Sequence, residues 1–567
     1  MKLSFYKYFY KNILFQQYCC FLILTLLVYF NTRHAGFVTD FLGWQSDFDN
    51  NNAWAVINGD RYNIKSFYHF THILMYAMTT VFRLNGTAWF LLFSSLFALN
   101  GLLVFRLFIY LFNKLEIPNS TAIASVGILF FMLSPYQAEV MVWRASFHYL
   151  TGFFMMLGFV HLALQYIDNQ QVKYWIWAMI IFFFSIFSLE FFLFTPFVVL
   201  ILMVFLYLNF PQSFDFKNVI IRFVGIPLSM VGIYFILYRL THEKWIAHYG
   251  SKNYTALISP ESFATYGKYV AKYLGFVRHY KHTIKQTFFA NFSIPSVSWF
   301  ILIITLSIAI VGLFLLRIMS KRNRLIFLTF GLFSLLISPV LTLYFSYTLL
   351  TENDRYGYMA SAFLLMGLAL ILSKLPKFFF YSISIIYLCL STCLLLKTNR
   401  NWYKSEKVFT SLIKQYSPNG VEEKDADEVL ILNAPDNYGG MPMFRVLAEE
   451  SGMKEAIEIY QQRKLNTHII DVAQYNMTTP GDGAHIRVDS ANQIMVIFNQ
   501  WGNWWWRAGK GATNYENDLY KIIFDYKGCG NCYQLTFKNN NPRCLLLFQV
   551  GNQFKKVDMS LIGVEQR

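Results

Sequence analysis

The sequence predicts an all-α polytopic membrane bundle followed by a soluble C-terminal α/β or mostly-β domain. Three observations carry this. About eleven largely apolar stretches of roughly 15–22 residues lie between Phe15 and Thr398, each near the length that crosses a bilayer as a helix. Composition agrees: 56% of residues are hydrophobic and only 14% are charged, too few for the surface of a soluble chain this long. The last third then changes character, with short β-patterned runs separated by turn residues.

The predicted spans are 14–31, 87–112, 119–135, 148–167, 173–189, 191–210, 218–239, 298–318, 325–345, 357–373 and 378–397. The first follows Lys2, Lys7 and Lys11 with no small-residue cleavage site after it, so it reads as an uncleaved helix. One set of alternate loops is short and basic: Lys114; Lys173; Lys217; Arg317, Lys321, Arg322 and Arg324; Lys374 and Lys377. The positive-inside rule puts these in the cytoplasm, which leaves the tail outside. Two outer loops are long, 31–86 and 241–297. They hold amphipathic stretches such as Ser66 to Tyr76, suited to the membrane interface. A domain boundary is expected at 400/401.

Net charge is +16 and uneven. From Asn401 onward there are 18 Lys+Arg and 19 Asp+Glu, so the first 400 residues carry the whole excess, 30 basic against 13 acidic. A uniformly basic chain would suggest nucleic acid. Here loop charge near lipid headgroups, with binding of an anionic lipid substrate, is the simpler reading, and no nucleic-acid partner is expected.

In the tail, Glu428–Asn433 reads as a strand and Pro435–Gly440 as a turn. Phe444–Gln462 reads as a helix. Strands are expected at His485–Val488, Ile494–Phe498, Tyr520–Phe524, Tyr533–Phe537 and Cys544–Val550. Cys529 and Cys532 have C-x-x-C spacing without a second pair, which argues against zinc and allows a local disulfide in an oxidising compartment. Cys19, Cys20, Cys389 and Cys393 lie in apolar helices and read as packing residues.

Several constellations could carry chemistry on the outer face. Asp47 and Asp49, in Ser46-Asp-Phe-Asp49, follow the first span; one could be a general base, or both could be solvated loop acids. Glu139, Trp143 and Arg144 would share a face if their segment is helical. Arg144 and His148 could meet a phosphate, or Arg144 could form an internal ion pair. Arg355 and Tyr356 of Asp354-Arg-Tyr356 precede a late span; the arginine could fix a phosphate or snorkel to headgroups. Glu190 interrupts an apolar stretch at a hairpin turn and needs a partner if buried. His279, Lys281, His282 and Lys285 form a cation cluster without metal spacing. Trp501 and Trp504–Trp506 could stack on sugar rings or form a buried or membrane-facing aromatic cluster.

The order of these motifs resembles the GT-C superfamily of integral-membrane glycosyltransferases. It is most similar to the branch of protein O-mannosyltransferases and their multi-spanning bacterial relatives. The acid after span 1, Ser134-Pro with Glu139 and Trp143-Arg144, Ser188-Leu-Glu190, and Asp354-Arg355-Tyr356-Gly-Tyr358 carry the resemblance. It covers about the first 400 residues. Leu432–Gly440 with Phe444-Arg445 is similar to a segment recurring in bacterial members. The family often has a Lys before the hairpin Glu, where this chain has Leu189.

The resemblance implies a GT-C-like enzyme that moves a sugar from a polyprenyl-phosphate-linked donor to a protein or glycan acceptor on the non-cytoplasmic face. Asp47 is the first choice of base and Asp49 the second. Arg144, His148, Arg355, Tyr356, Glu139, Glu190, His279 and Lys281 would bind substrate. Membrane lipid is a partner, the location is the cytoplasmic membrane, and no cofactor is expected, with a divalent metal left open. The alternative is a non-catalytic membrane subunit or a lipid-linked-glycan flippase, in which Asp47 and Asp49 would be dispensable.

Overall fold

The computed structural model describes residues 2–50, 54–55, 68–211, 214–243, 260–281, 284, 287, 291, 294–316, 318–341, 354–422, 426–444, 452–499, 504–505, 513–538 and 544–566. The chain divides into two compact units. One holds 1–33 and 52–398, the other 34–51 and 399–567. The division falls inside a single helix, Lys377–Gln415, between Thr398 and Asn399. Residues 34–51, which the sequence reading assigns to the membrane part, cluster with the C-terminal residues.

The first unit is a helix bundle. Nine helices among the described residues are long and apolar enough to cross a membrane, the pattern of a multi-pass membrane protein. They match nine of the eleven expected stretches. The other two are helical as well. Ser120–Met132 continues into Pro135–Val142 with a 54° bend, and Val172–Ile186 is short. Pro135 explains the bend, since the residue before a proline is pushed out of the α region; Ser134 sits at φ −65°, ψ 133°.

Lipid-length helices gain nothing from lipid by burying apolar surface, so close packing and polar contacts hold them together. Asn100 shows both. Its Nδ2 donates to the Leu150 carbonyl at 3.0 Å and to the Tyr358 hydroxyl at 3.1 Å. The Tyr358 ring packs among Phe97, Phe131 and Phe153. Gln137 Nε2 donates to Ser361 Oγ at 3.0 Å, and Ser391 Oγ to the Leu133 carbonyl at 2.9 Å.

The basic connections meet at one end of this bundle. Lys114 pairs with Asp168 and Lys321 with Glu116, both at 3.1 Å. Arg322 donates to the Ser373 carbonyl at 3.1 Å and Arg324 to Asn209 at 2.8 Å. The clustering the sequence suggests for these loops is thus physical; Arg317 lies outside the described residues. Cys20, Cys389 and Cys393 are exposed on the bundle surface, and Cys19 is half-buried.

The second unit is β-rich. Glu428–Ile431 is central in a four-stranded sheet, parallel to Cys544–Val550 on one side and His468–Asp471 on the other; Gln553–Lys556 completes it. A six-stranded antiparallel sheet runs in the order Glu565–Gln566, Ala484–Ser490, Gln493–Phe498, Cys532–Phe537, Tyr520–Phe524, Tyr515–Glu516. The third sheet contains Met441–Pro442, Ala434–Tyr438, Gln474–Met477 and Trp504–Trp505.

Two local expectations change. Ala434–Tyr438, read as the start of a turn, is a strand parallel to Gln474–Met477. Pro435 is tolerated because the register shifts beside it, between Pro435 and Asn437. The turn itself comes later, at Gly439 and Gly440, whose φ values of +56° and +88° need glycine. The expected helix Phe444–Gln462 is described only as Gly452–Gln461, because 445–451 lie outside the described residues.

Helix Asp40–Asn50 buries Phe41, Leu42, Gln45 and Phe48, a helical face, and packs on helix Gly452–Gln461 within the second unit. Cys529 and Cys532 form a disulfide, and the Cys544 thiol is pushed up to about 12, first by burial and then by Glu428.

Gly152 faces the ring of buried Phe192, and any Cβ there would collide with it. Gly331, in helix Lys321–Ile337, has nothing within 4 Å of a Cβ. Gly152→Ala should therefore lower thermal stability, by about 1–3 kcal/mol for an overpacked core. Gly331→Ala should be neutral or stabilise by up to about 1 kcal/mol. Melting curves of the two purified variants test this, and equal shifts would contradict the packing assigned to Gly152.

Candidate functional site

The candidate residues of the helical unit come from segments that interrupt or join its helices. Asp354–Gly357 is a single 3-10 turn before helix Tyr358–Leu372. Pro260–Gly275 is an amphipathic helix in the second long loop, followed by a turn at Val277–His279. Its buried face carries Ala264, Thr265, Lys268, Tyr269, Lys272 and Tyr273. Two lysines spaced i, i+4 thus point inward, against the usual rule for amphipathic helices.

For Lys272 the reason is Asp354. Lys272 Nζ lies 2.6 Å from Asp354 Oδ1, and Arg278 pairs with Asp354 Oδ2. All three side chains are buried, Lys272 and Asp354 to 1% exposure. Tyrosines enclose them. Lys272 Nζ is 5.3 Å from the centre of the Tyr136 ring and 5.7 Å from that of Tyr269. The Arg278 guanidinium is also 5.7 Å from Tyr136. Tyr273 donates from its hydroxyl to the Asp354 carbonyl at 3.4 Å. Gly357 lies so close to Tyr273 that a Cβ would overlap the phenol. Burial pulls the Lys272 ammonium below the usual lysine pKa, with Asp354 working in the opposite direction.

Beside this triad, Glu139 accepts from the Arg355 backbone N–H at 3.1 Å through Oε2 and from the guanidinium through Oε1. The guanidinium stacks on Trp143 at 4.7 Å and Tyr356 at 4.6 Å, and donates to the Tyr356 hydroxyl at 3.3 Å. Together the group holds three cations, Lys272, Arg278 and Arg355, against two carboxylates, Asp354 and Glu139. Arg355 stays 18% exposed and Glu139 12%, so one edge of the cluster is open.

The remaining expected residues divide. Tyr149 bridges outward from Tyr356, ring centres 6.5 Å apart, to Phe191 at 6.1 Å and to His148 at 4.6 Å. His148 lies within electrostatic reach of both Arg355 and His72. Glu190 accepts from the Tyr68 hydroxyl at 2.6 Å, the partner its position called for. His279 also lies near Tyr136, at 6.2 Å between rings. Lys281 is exposed, while His282 and Lys285 lie outside the described residues.

Arg144 departs from expectation. The short helix ends at Val142, and Trp143 is extended at φ −74°, ψ 112°, so Arg144 does not share a helical face with Glu139. It is buried, donates to the carbonyls of Met141 at 3.2 Å and Arg33 at 3.3 Å, and lies 5.0 Å from the Phe93 ring. Asp47 and Asp49 belong to the other unit. On helix Asp40–Asn50 they point about 200° apart at roughly 100° per residue. Asp49 is exposed and accepts from Gln45 Nε2 at 2.9 Å, and Asp47 is half-buried. Trp501 and Trp506 lie outside the described residues; Trp504–Trp505 form an edge strand.

Lys272, Arg278 and Tyr136 were missed from sequence. A signal existed: Lys268 and Lys272 interleave with Tyr266, Tyr269 and Tyr273 on one helix, and Arg278 adjoins the His279 already noted. No family model matches this chain, and no curated protein matches it either.

Two predictions follow the geometry. Asp354→Asn would leave two buried cations without their counter-charge, so thermal stability should drop by about 3–5 kcal/mol; Asp354→Glu should recover part of it. A melting temperature equal to wild type would contradict the triad. The second concerns His72, on helix His69–Phe82 and 3% exposed. Burial first, and His69 second, lower its pKa from 6.5 to about 4. The unfolded chain then binds a proton between those values and the folded chain does not. Stability should fall as pH drops from 6.5 towards 4, by about 3 kcal/mol at most. His72→Leu should flatten that slope in a pH series of melts, and an unchanged slope would assign the effect elsewhere.

Proposed function

We propose that this chain is a membrane glycosyltransferase of the GT-C type. It takes a sugar from a polyprenyl-phosphate-linked donor and gives it to a protein or glycan acceptor on the non-cytoplasmic face of the cytoplasmic membrane, with the N-terminus inside. The observation that carries this reading is the cluster of Lys272, Arg278 and Arg355. A cation excess among buried tyrosines, opening at Arg355, suits a lipid-linked phosphate.

The chemistry needs two things. An acceptor hydroxyl oxygen bonds to the anomeric carbon as the bond from that carbon to the phosphate oxygen breaks; the electron pair of that bond leaves with the polyprenyl phosphate. Growing negative charge on the phosphate is met by Arg355, with Arg278 and Lys272 behind it. The hydroxyl proton goes to a carboxylate, for which Asp47 is the first candidate and Asp49 the second. His148, Tyr356, Glu139, Glu190, His279 and Lys281 are assigned to donor or acceptor binding.

The test uses purified protein in lipid nanodiscs, a polyprenyl-phosphate-linked radiolabelled hexose and an envelope extract as acceptor. Arg355→Lys keeps the charge and loses the two-pronged geometry, so transfer should slow by about 2–4 kcal/mol of transition-state stabilisation. Asp47→Asn should abolish transfer while the donor still binds. Full transfer by both Asp47→Asn and Asp49→Asn would sink the enzyme reading in favour of a non-catalytic subunit or flippase.

A further inference from the structure

We infer that the outward face of the six-stranded sheet is a second, non-catalytic saccharide-binding site. Strand alternation builds it. Ile486, Val488, Ile494, Val496, Tyr533 and Leu535 turn into the core of the unit. Arg487, Asp489, Gln493, Met495, Ile497 and Gln534 lie at the alternate positions and line a cavity of about 480 Å³ together with Tyr526, Lys527 and the Cys529–Cys532 disulfide. That volume is within the roughly 300–1,000 Å³ typical of small-molecule sites.

The lining has the chemistry of a sugar site rather than an anion site. Arg487 donates from Nε to Asp489 Oδ1 at 2.8 Å, so the main cation is already paired with a carboxylate, and that bond leaves its terminal nitrogens unused. Gln534 is 6% exposed, and its amide makes no hydrogen bond among the described residues. An amide at a cavity wall with no protein partner keeps its donor and acceptor for a ligand. Gln493 adds a second amide. Each amide offers a donor and an acceptor side by side, which matches neighbouring hydroxyls that both donate and accept. Met495 and Ile497 form an apolar floor. Lys527 sits 5.2 Å from the centre of the Tyr526 ring on one face, leaving the other for sugar C–H groups.

The loop that carries Tyr526 is held in place before any ligand arrives. The disulfide closes it, Gly530 N–H donates to Asp525 Oδ1 at 2.6 Å, Gly528 N–H to the Asp525 carbonyl at 3.0 Å, and Asp525 N–H to the Cys532 carbonyl at 3.0 Å. A fixed loop lowers the ordering cost of binding. The inference does not depend on the transferase reading, and a bound glycan could equally be acceptor or product.

The experiment is calorimetric titration of the full chain in lipid nanodiscs, since detergents with sugar heads would compete. The probes are mannohexaose, chitohexaose and cellohexaose. At least one should bind with a Kd below about 1 mM. Tyr526→Ala and Arg487→Ala should each weaken it about tenfold or more, and Gln553→Ala, on another sheet, should leave it unchanged. If either pocket variant fails to fold, Gln493→Ala, which removes only an outward amide, takes its place. No binding by any of the three sugars at about 10 mM overturns the proposal. So does binding that survives every pocket variant. Sugar transfer by the same preparation is measured separately, so loss of one result leaves the other standing.

Discussion

The burial of Asp354 is the constraint around which the helical unit is arranged. A carboxylate at 1% exposure survives only with compensation close at hand, because desolvating it alone costs several kcal/mol. Lys272 and Arg278 supply two charges, and its place in the first turn before helix Tyr358–Leu372 adds the favourable end of the helix dipole. Satisfying one acid therefore ties together two stretches far apart in sequence: Pro260–Gly275 with the turn after it, and the turn at 354. Gly357 follows from the same demand, since only a residue without Cβ lets the Tyr273 ring close over that turn.

Two cations on one acid leave positive charge behind, and the surroundings decide what that charge is worth. Tyr136, Tyr269 and Tyr273 bury the triad, and Tyr136 and Tyr269 present ring faces to its cations. Ring faces soften the cost of a buried cation without cancelling its charge. Glu139 and Arg355 form a neutral pair next to it, so the excess is not dissipated along the row. Charge of this kind acts strongly on an incoming anion because little solvent screens it. That is the physical basis for proposing a phosphate-bearing substrate; at Lys272 itself, burial draws the ammonium below the usual lysine range while Asp354 works in the opposite direction.

Much of the architecture was legible in sequence because it rests on periodicity and length. Apolar runs became helices, and alternating runs such as Ile494–Phe498 and Tyr520–Phe524 became strands. What could not be read was set by distant partners. Lys272 looks like a solvated loop cation until Asp354, 82 residues later, is placed beside it. Arg144 looks like a partner for Glu139 until the helix stops at Val142, two residues before it. Pro435 reads as a turn, and only the irregular register with Tyr475 permits a strand. Asp47 and Asp49 read as loop acids, whereas the burial of Phe41, Leu42 and Phe48 accompanies a helix over their segment.

The last of these shifts bears on mechanism. Helix Asp40–Asn50 follows the first apolar helix in sequence, yet its apolar face packs on Gly452–Gln461, and Lys464 Nζ donates to Asn50 Oδ1 at 3.0 Å. Asp47 is half-buried on that helix, so its position is fixed by the C-terminal unit rather than by the span before it. If Asp47 is the base, the C-terminal unit is part of the catalytic apparatus and not an appendage, because it sets the direction of the proton acceptor. The proposed saccharide face belongs to the same unit. Under that proposal the β-rich unit carries both the group that activates an acceptor and a surface that retains a glycan.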